Sequence, residues 1–289
     1  MSEATKTNGI GHRYDAEATV LEGHLRLPLE QTIKPQAYVK LPERGGYLTQ
    51  RAENYRLEGV LSFRSAYAQV AGNRSTKADE GYTTLTTTVV EGLNVLDVVT
   101  ADRVVGQTIT EHPLQGNGYV PSISFLGTRF ENLRIAGHPV RLDLDLDLFG
   151  SKPASDAGYT KDPGFIARVS GQHKRVRQHG DLPSEILERY NQLPAISGSG
   201  EKKRETVECS LVNQADGSYP GVCFGHVIKI PRFGAISLGR LTLIHEDFDA
   251  ETGVPKKTTF RLTMIDLKLG CVADGNVPIG GGASNGGGG

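Results

Sequence analysis

Three aspartates alternate with leucines in PVRLDLDLDLFG, residues 139–150, and their type and spacing raise the first question of chemistry. Carboxylates gathered on one face could hold a hard cation or divide acid and base roles. On an extended strand Arg141, Asp143, Asp145 and Asp147 share one face, with Val140, Leu142, Leu144, Leu146 and Leu148 on the other. Same-face neighbours lie about 6.6 Å apart, whereas calcium takes its oxygens at about 2.3–2.6 Å. Two carboxylates of one straight strand cannot converge on an ion unaided. Asp143, Asp145 and Asp147 are therefore metal candidates only with help from elsewhere, and a solvated face that discourages edge-to-edge association explains them more simply.

The eight histidines form no HxH, HExxH or Cys/His pair at zinc spacing. His226 stands in phase with Phe224 and Ile228 and reads as a packed or hydrogen-bonded core histidine. His245-Glu246-Asp247 closes a strand and could serve as an acid–base cluster, or simply as a polar strand end. His226, Arg240, His245 and Glu246, with inward-facing tyrosines, are the catalytic candidates. There is no G-x-S-x-G elbow, no P-loop and no G-x-G-x-x-G after a strand, so the common hydrolase, NTPase and dinucleotide signals are missing and no cofactor is expected. The basic run QHKRVRQH (172–179), extended by Arg168, is the strongest local charge feature. Arg168, Lys174, Arg175 and Arg177 could meet phosphate or an acidic partner; without interleaved aromatics they do not suit single-stranded nucleic acid. A solvated helix face is the plainer reading.

These residues need a scaffold, and composition bounds it. The 289 residues carry 32 basic and 33 acidic side chains, 37% hydrophobic residues and 36 glycines. That suits a turn-rich globular chain with no global field to recruit nucleic acid or an anionic membrane. The N-terminus lacks the pattern of a secretory signal, and no apolar run is long enough for a membrane span. The default compartment is the cytoplasm, with export by a non-classical route left open. Three cysteines are too few for a disulfide scaffold; period-two phase sends Cys209 and Cys223 to different faces, favouring reduced, structural thiols.

Threonine- and valine-rich segments predict strands throughout. Residues 81–113 divide into about three, with breaks at Glu91-Gly92 and near Ala101-Asp102; Tyr55–Val70 reads as one strand, and residues 119–149 as about three more. Residues 162–193 show helical spacing and predict two short helices. The expected plan is a flexible arm (1–13), one mainly β domain (14–273) with that helical insertion and a linker (196–205), and a disordered glycine-rich tail (274–289). About ten to twelve antiparallel strands would form a sandwich or a closed barrel.

Leu93 to Val105 and Ser124 to Val140, with ISLGRLTLI at Ile236 to Ile244, resemble the bacterial choice-of-anchor P type domains. The resemblance covers about a third of the chain. It implies a non-enzymatic, β-rich module, usually exported and tethered, and transfers no functional residues. The leading functional expectation is a non-catalytic binding or self-assembly module, acting on another copy of itself or another protein. The alternatives are a β-barrel enzyme or carrier of the calycin kind, taking a small apolar ligand, and an anion-recognising adaptor built on the basic helix.

Overall fold

The computed structural model describes residues 12–26, 30–57, 59–76, 81–112, 120–153, 158–178, 182–191, 195–197, 204–270 and 275–287. In chain order the first strands are β1 (Arg13–Leu25), β2 (Gln31–Lys40), β3 (Gly46–Leu57), β4 (Leu61–Arg74), β5 (Tyr82–Val95) and β6 (Val99–His112). Short strands follow: β7 (Ser122–Ser124), β8 (Arg129–Glu131), β9 (Arg134–Ile135), β10 (His138–Pro139) and β11 (Arg141–Leu144). Helices α1 (Pro163–Arg177) and α2 (Ser184–Arg189) come next, as the spacing predicts. The chain then runs through β12 (Ala195–Ser197), β13 (Arg204–Ser210), β14 (Val212–Asp216), β15 (Val222–Phe224), β16 (Val227–Ile230), β17 (Gly234–Phe248), β18 (Pro255–Leu269) and β19 (Gly275–Gly287).

The strands make two large antiparallel sheets and a ribbon. Sheet A has nine strands, on the path β12-β13-β17-β18-β19-β1-β2 with β16 and β15 continuing from β17. Sheet B has eight, on the path β10-β9-β6-β5-β4-β3, with β7 and β8 also on β6; β11 pairs only with β14. The strands thus outnumber the expected ten to twelve, and neither sheet closes into a barrel among the described residues. The middle of sheet A, β19 and β1, faces the middle of sheet B, β4 to β6, and one continuous apolar core lies between them.

The expected breaks in residues 81–113 are not breaks. Gly92 lies opposite Asp102 in an unbroken β5–β6 hairpin, between the pairs Glu91↔Arg103 and Leu93↔Ala101. The row continues through Arg64 to Asn54, and Gly92 and Asn54 have φ +66° and +52°. Sheet A has a matching row, Gly239–Met264–Gly280–Val20–Ala37, with positive φ at Gly239, Gly280 and Ala37. Across it the strands exchange faces: Phe260, Leu262 and Met264 enter the core on one side, Ile265, Leu267 and Leu269 on the other. A one-residue slip in a period-two pattern moves every later side chain to the other face, which in sequence reads as a strand end. Tyr55–Val70 is likewise not one strand: it spans the turn of the β3–β4 hairpin.

The tail is the largest correction. Gly275–Gly287 is not disordered but a central strand, hydrogen-bonded to β18 on one side and β1 on the other. Glycine loses much backbone entropy on ordering, but both edges of this strand are paired and its lack of side chains is what fits. A Cβ at Gly282 would stand 3.0 Å from Thr86 Oγ1 of the opposite sheet, and Ser284 Oγ meets Thr110 Oγ1 at 3.1 Å. Of the expected arm, residues 1–11 lie outside the described residues, and Arg13 already begins β1. The ends of the expected linker pair as a hairpin, Ser197↔Arg204 and Ile196↔Glu205; residues 198–203 lie outside the described residues.

The insertion closes the side of the molecule. Phe149, Tyr159 and Phe165 pack with Phe260 of β18, the Phe149 and Phe165 rings stacked at 4.8 Å. Asp162 caps α1 by accepting from the Phe165 N–H at 2.6 Å. Beyond the end of β12, α1 lies along the free edge of β13. A second apolar cluster, with Val176, Ile186, Tyr190, Phe224 and Val227, seats α2 on the outer face of sheet A.

Candidate functional site

The outer face of sheet A carries a groove of about 300 Å³. Its floor is the glycine strand: Gly281 pairs with Thr263 and Thr19, and Ala283 with Arg261 and Glu17. Over Gly281, Gly282 and Ala283, where β19 carries no bulky side chain, its neighbours rise as walls, and Asn276 and Pro278 close the floor at one end. Glu17, Thr19 and Glu22 of β1 form one; Arg261, Thr263 and Asp266 of β18, with Arg240 of β17, form the other. The first wall is acidic and the second offers guanidinium donors. Tyr38 of β2, beside Thr19 in register, is 40% exposed, and its hydroxyl donates to Glu17 Oε2 at 3.1 Å. Gly281 can accept a side chain pointing outward, since its nearest heavy atom would be Thr19 O at 3.6 Å.

A charged network anchors the second wall beneath the helices. Arg240 donates to both oxygens of Glu208, Nε at 3.0 Å and Nη2 at 3.1 Å, and Nη1 reaches Asp266 Oδ2 at 3.1 Å. Arg189 of α2 meets the same Asp266 oxygen at 2.8 Å, and Thr242 donates to Glu208. Burial disfavours the charge on Arg240, but the Glu208 and Asp266 carboxylates outweigh it and raise its pKa. Bidentate, charge-assisted pairs of this kind fix a guanidinium in place. Asp266 is thus neutralised twice, which leaves Arg261 as the wall's unpaired cation among the described residues.

The catalytic candidates from sequence are not brought together. Arg240 belongs to the network just described. His226 is fully buried beneath α2, its Nε2 sharing a 2.7 Å hydrogen bond with the Tyr190 hydroxyl; burial pulls its pKa down to about 3. His245 is buried in the core, bonded through Nδ1 to Thr258 Oγ1 at 2.9 Å, with its pKa lowered by burial to about 4. Glu246 points the opposite way, towards Arg204 and Lys257. Adjacent strand residues face opposite sides, so no His245–Glu246 acid–base cluster forms. Arg240 and Glu246 both lie on the outer face of sheet A.

The aspartates also part. Only Asp143 lies in β11; the strand ends at Leu144, and Asp145 and Asp147 fall in the turn that follows, where Gly150 N donates to Asp147 O at 2.9 Å. Leu148 is fully buried while Asp143 and Asp147 are exposed. Among the described residues no group of three His, Cys, Asp or Glu side chains is placed to hold a metal ion.

The basic run divides as well. Arg168 donates Nε to Leu148 O at 2.8 Å, and Arg175 lies beside Gly225. Lys174 and Arg177 line a cleft of about 350 Å³ between α1 and α2, with His173 and Asn191. Cys209 and Cys223 are both free. Nothing in the sequence singles out Glu17, Tyr38 or Gly281; alternation in KTTFRLT marks Arg261 as an outward position, the one signal for this groove.

Among the described residues no helix is long and apolar enough to cross a membrane. Comparison with curated proteins and with solved structures finds no match. A family model does match, over residues 12–244, so that its span ends within β17 and leaves β18 and β19 beyond it. On that match, which covers most of the chain, the protein belongs to the family described as Domain of unknown function (DUF8256).

Proposed function

We propose that the chain is an open β-sandwich that works by binding, not catalysis, and that its groove over β19 takes a neutral, hydroxyl-rich ligand such as an oligosaccharide. The observation that carries this reading is the glycine floor between an acidic and a basic wall. A ligand lying on Gly281 can donate hydroxyls to Glu17 or Glu22 and accept from Arg261 at the same time. A strongly anionic or cationic ligand would be repelled by one wall. The groove is polar, unlike the apolar pockets that hold most drug-like ligands, and the exposed Tyr38 ring offers a flat face at its rim. His226 and His245, the histidines among the catalytic candidates, are shut away from the groove.

Calorimetric titration with a panel of neutral oligosaccharides tests this directly. One or more should bind, and Gly281→Leu should abolish binding while leaving the thermal unfolding midpoint near that of the parent. If no oligosaccharide binds, or if Gly281→Leu binds as well as the parent, the reading is wrong.

A further inference from the structure

The last strand of sheet B, β3, keeps one edge without a strand partner among the described residues. β3 is twelve residues long and bonds only to β4. Every residue from Gly46 to Arg51 is exposed, with Tyr47 at 59% and Leu48 at 40%. A long strand with a free edge invites a further strand, and proteins normally blunt such edges. Several other edges among the described residues are blunted. β12 and β10 are three and two residues long, and β10 ends in Pro139. β2 carries Pro35, Lys34 and Lys40, and the free part of β13 lies under α1. β3 has no proline, no lysine and no cover among the described residues.

Its sequence names the partner. Read outward from Ala52, β3 sets Arg51 against Glu53, and both lie before the face exchange at Asn54 (φ +52°). We infer that two copies of this chain associate through β3 as antiparallel neighbours, about a two-fold axis at Ala52. Each Arg51 then faces Glu53 of the partner. Within one copy Arg51 Nε and Glu53 Oε1 already lie 2.9 Å apart on one face, so the interface joins two such pairs into a square of alternating charge. Opposite charges directly across an antiparallel pair are favourable and like charges are not. Moving the axis by one residue sets Arg51 against Arg51 or Glu53 against Glu53, so charge selects the register. Such an interface is isologous and closes at two copies.

Analytical ultracentrifugation of the full chain at low and high salt tests the association. A dimer is expected, and Arg51→Glu or Glu53→Arg alone should weaken it by about tenfold or more. The double variant Arg51→Glu/Glu53→Arg should restore it. Both side chains are exposed, so circular dichroism should be unchanged in all three. Register has its own probe: oxidised Ala52→Cys should give a covalent dimer and Gln50→Cys should not. A chain that stays monomeric over the accessible concentration range, a dimer indifferent to the single reversals, or crosslinking at Gln50→Cys in preference to Ala52→Cys would each overturn the inference.

Discussion

The Gln172 side chain on α1 bonds the main chain of Ser210 twice. Its Nε2 donates to Ser210 O at 2.8 Å and its Oε1 accepts from Ser210 N at 2.9 Å. A side-chain amide presents one donor and one acceptor with the spacing of a peptide, so Gln172 takes the place of the next strand on β13. One turn position later, His173 Nε2 meets Glu208 O at 2.6 Å. A carbonyl only accepts, so Nε2 carries the proton of the neutral ring. The helical insertion thus seals the edge that β12 leaves open.

Removing that amide should expose its importance. Gln172→Ala leaves a buried N–H and C=O without partners, at about 1–3 kcal/mol for each group left unsatisfied. Gln172→Glu sets a carboxylate oxygen against the Ser210 carbonyl at a buried site, and should cost at least as much as alanine. Urea unfolding of the three proteins measures the order, and near-equal stabilities would show that water replaces the amide at no cost.

The glycine strand has an inner and an outer face, and substitution should separate them. Gly282 points at Thr86, whose Oγ1 would crowd a Cβ at 3.0 Å, whereas Gly281 points outward. Gly282→Val should cost about 1–3 kcal/mol or more through overpacking. Gly281→Val should be neutral or slightly stabilising, since a β-branched residue orders a strand better than glycine does. Thermal melts of the pair decide the matter; equal effects would mean that Gly282 and Gly281 do not face the core and the outer side as described.

Stability should fall with acid. His226 holds a pKa of about 3 in the folded protein against 6.5 in its ordinary state, because burial disfavours the imidazolium. The unfolded chain therefore takes up a proton near pH 6.5 that the folded chain refuses until about pH 3. The contribution is complete above pH 6.5 and is lost progressively as pH drops towards 3. Between pH 7 and pH 5 it amounts to about 2 kcal/mol. His245, with a pKa of about 4, adds a second loss of the same sign. His226→Gln keeps a hydrogen-bond partner for Tyr190 and removes one titrating ring. Its unfolding free energy should vary less between pH 7 and pH 5, by about 2 kcal/mol, than that of the parent.

Much was legible in the residues alone. β-branched segments and turn glycines determined a mainly β, antiparallel protein, because those side chains suit pleated surfaces whatever their neighbours. Pro163, Asp162 and the apolar spacing of Phe165, Val169 and Val176 determined the first helix, because capping and helical period are local. What only the tertiary structure decided was anything that depends on residues far apart in sequence. Gly92 and Asp102 read as two separate interruptions until register set them side by side in one row. Asp143, Asp145 and Asp147 read as one face until the chain left its strand at Leu144. Residues 275–287 read as too poor in side chains to order, because the gain from that poverty lies in Thr86, Met264 and two flanking strands that no local window contains. The groove follows from the same cause: its floor is a strand placed by long-range pairing, and its walls come from β1 and β18, near opposite ends of the chain.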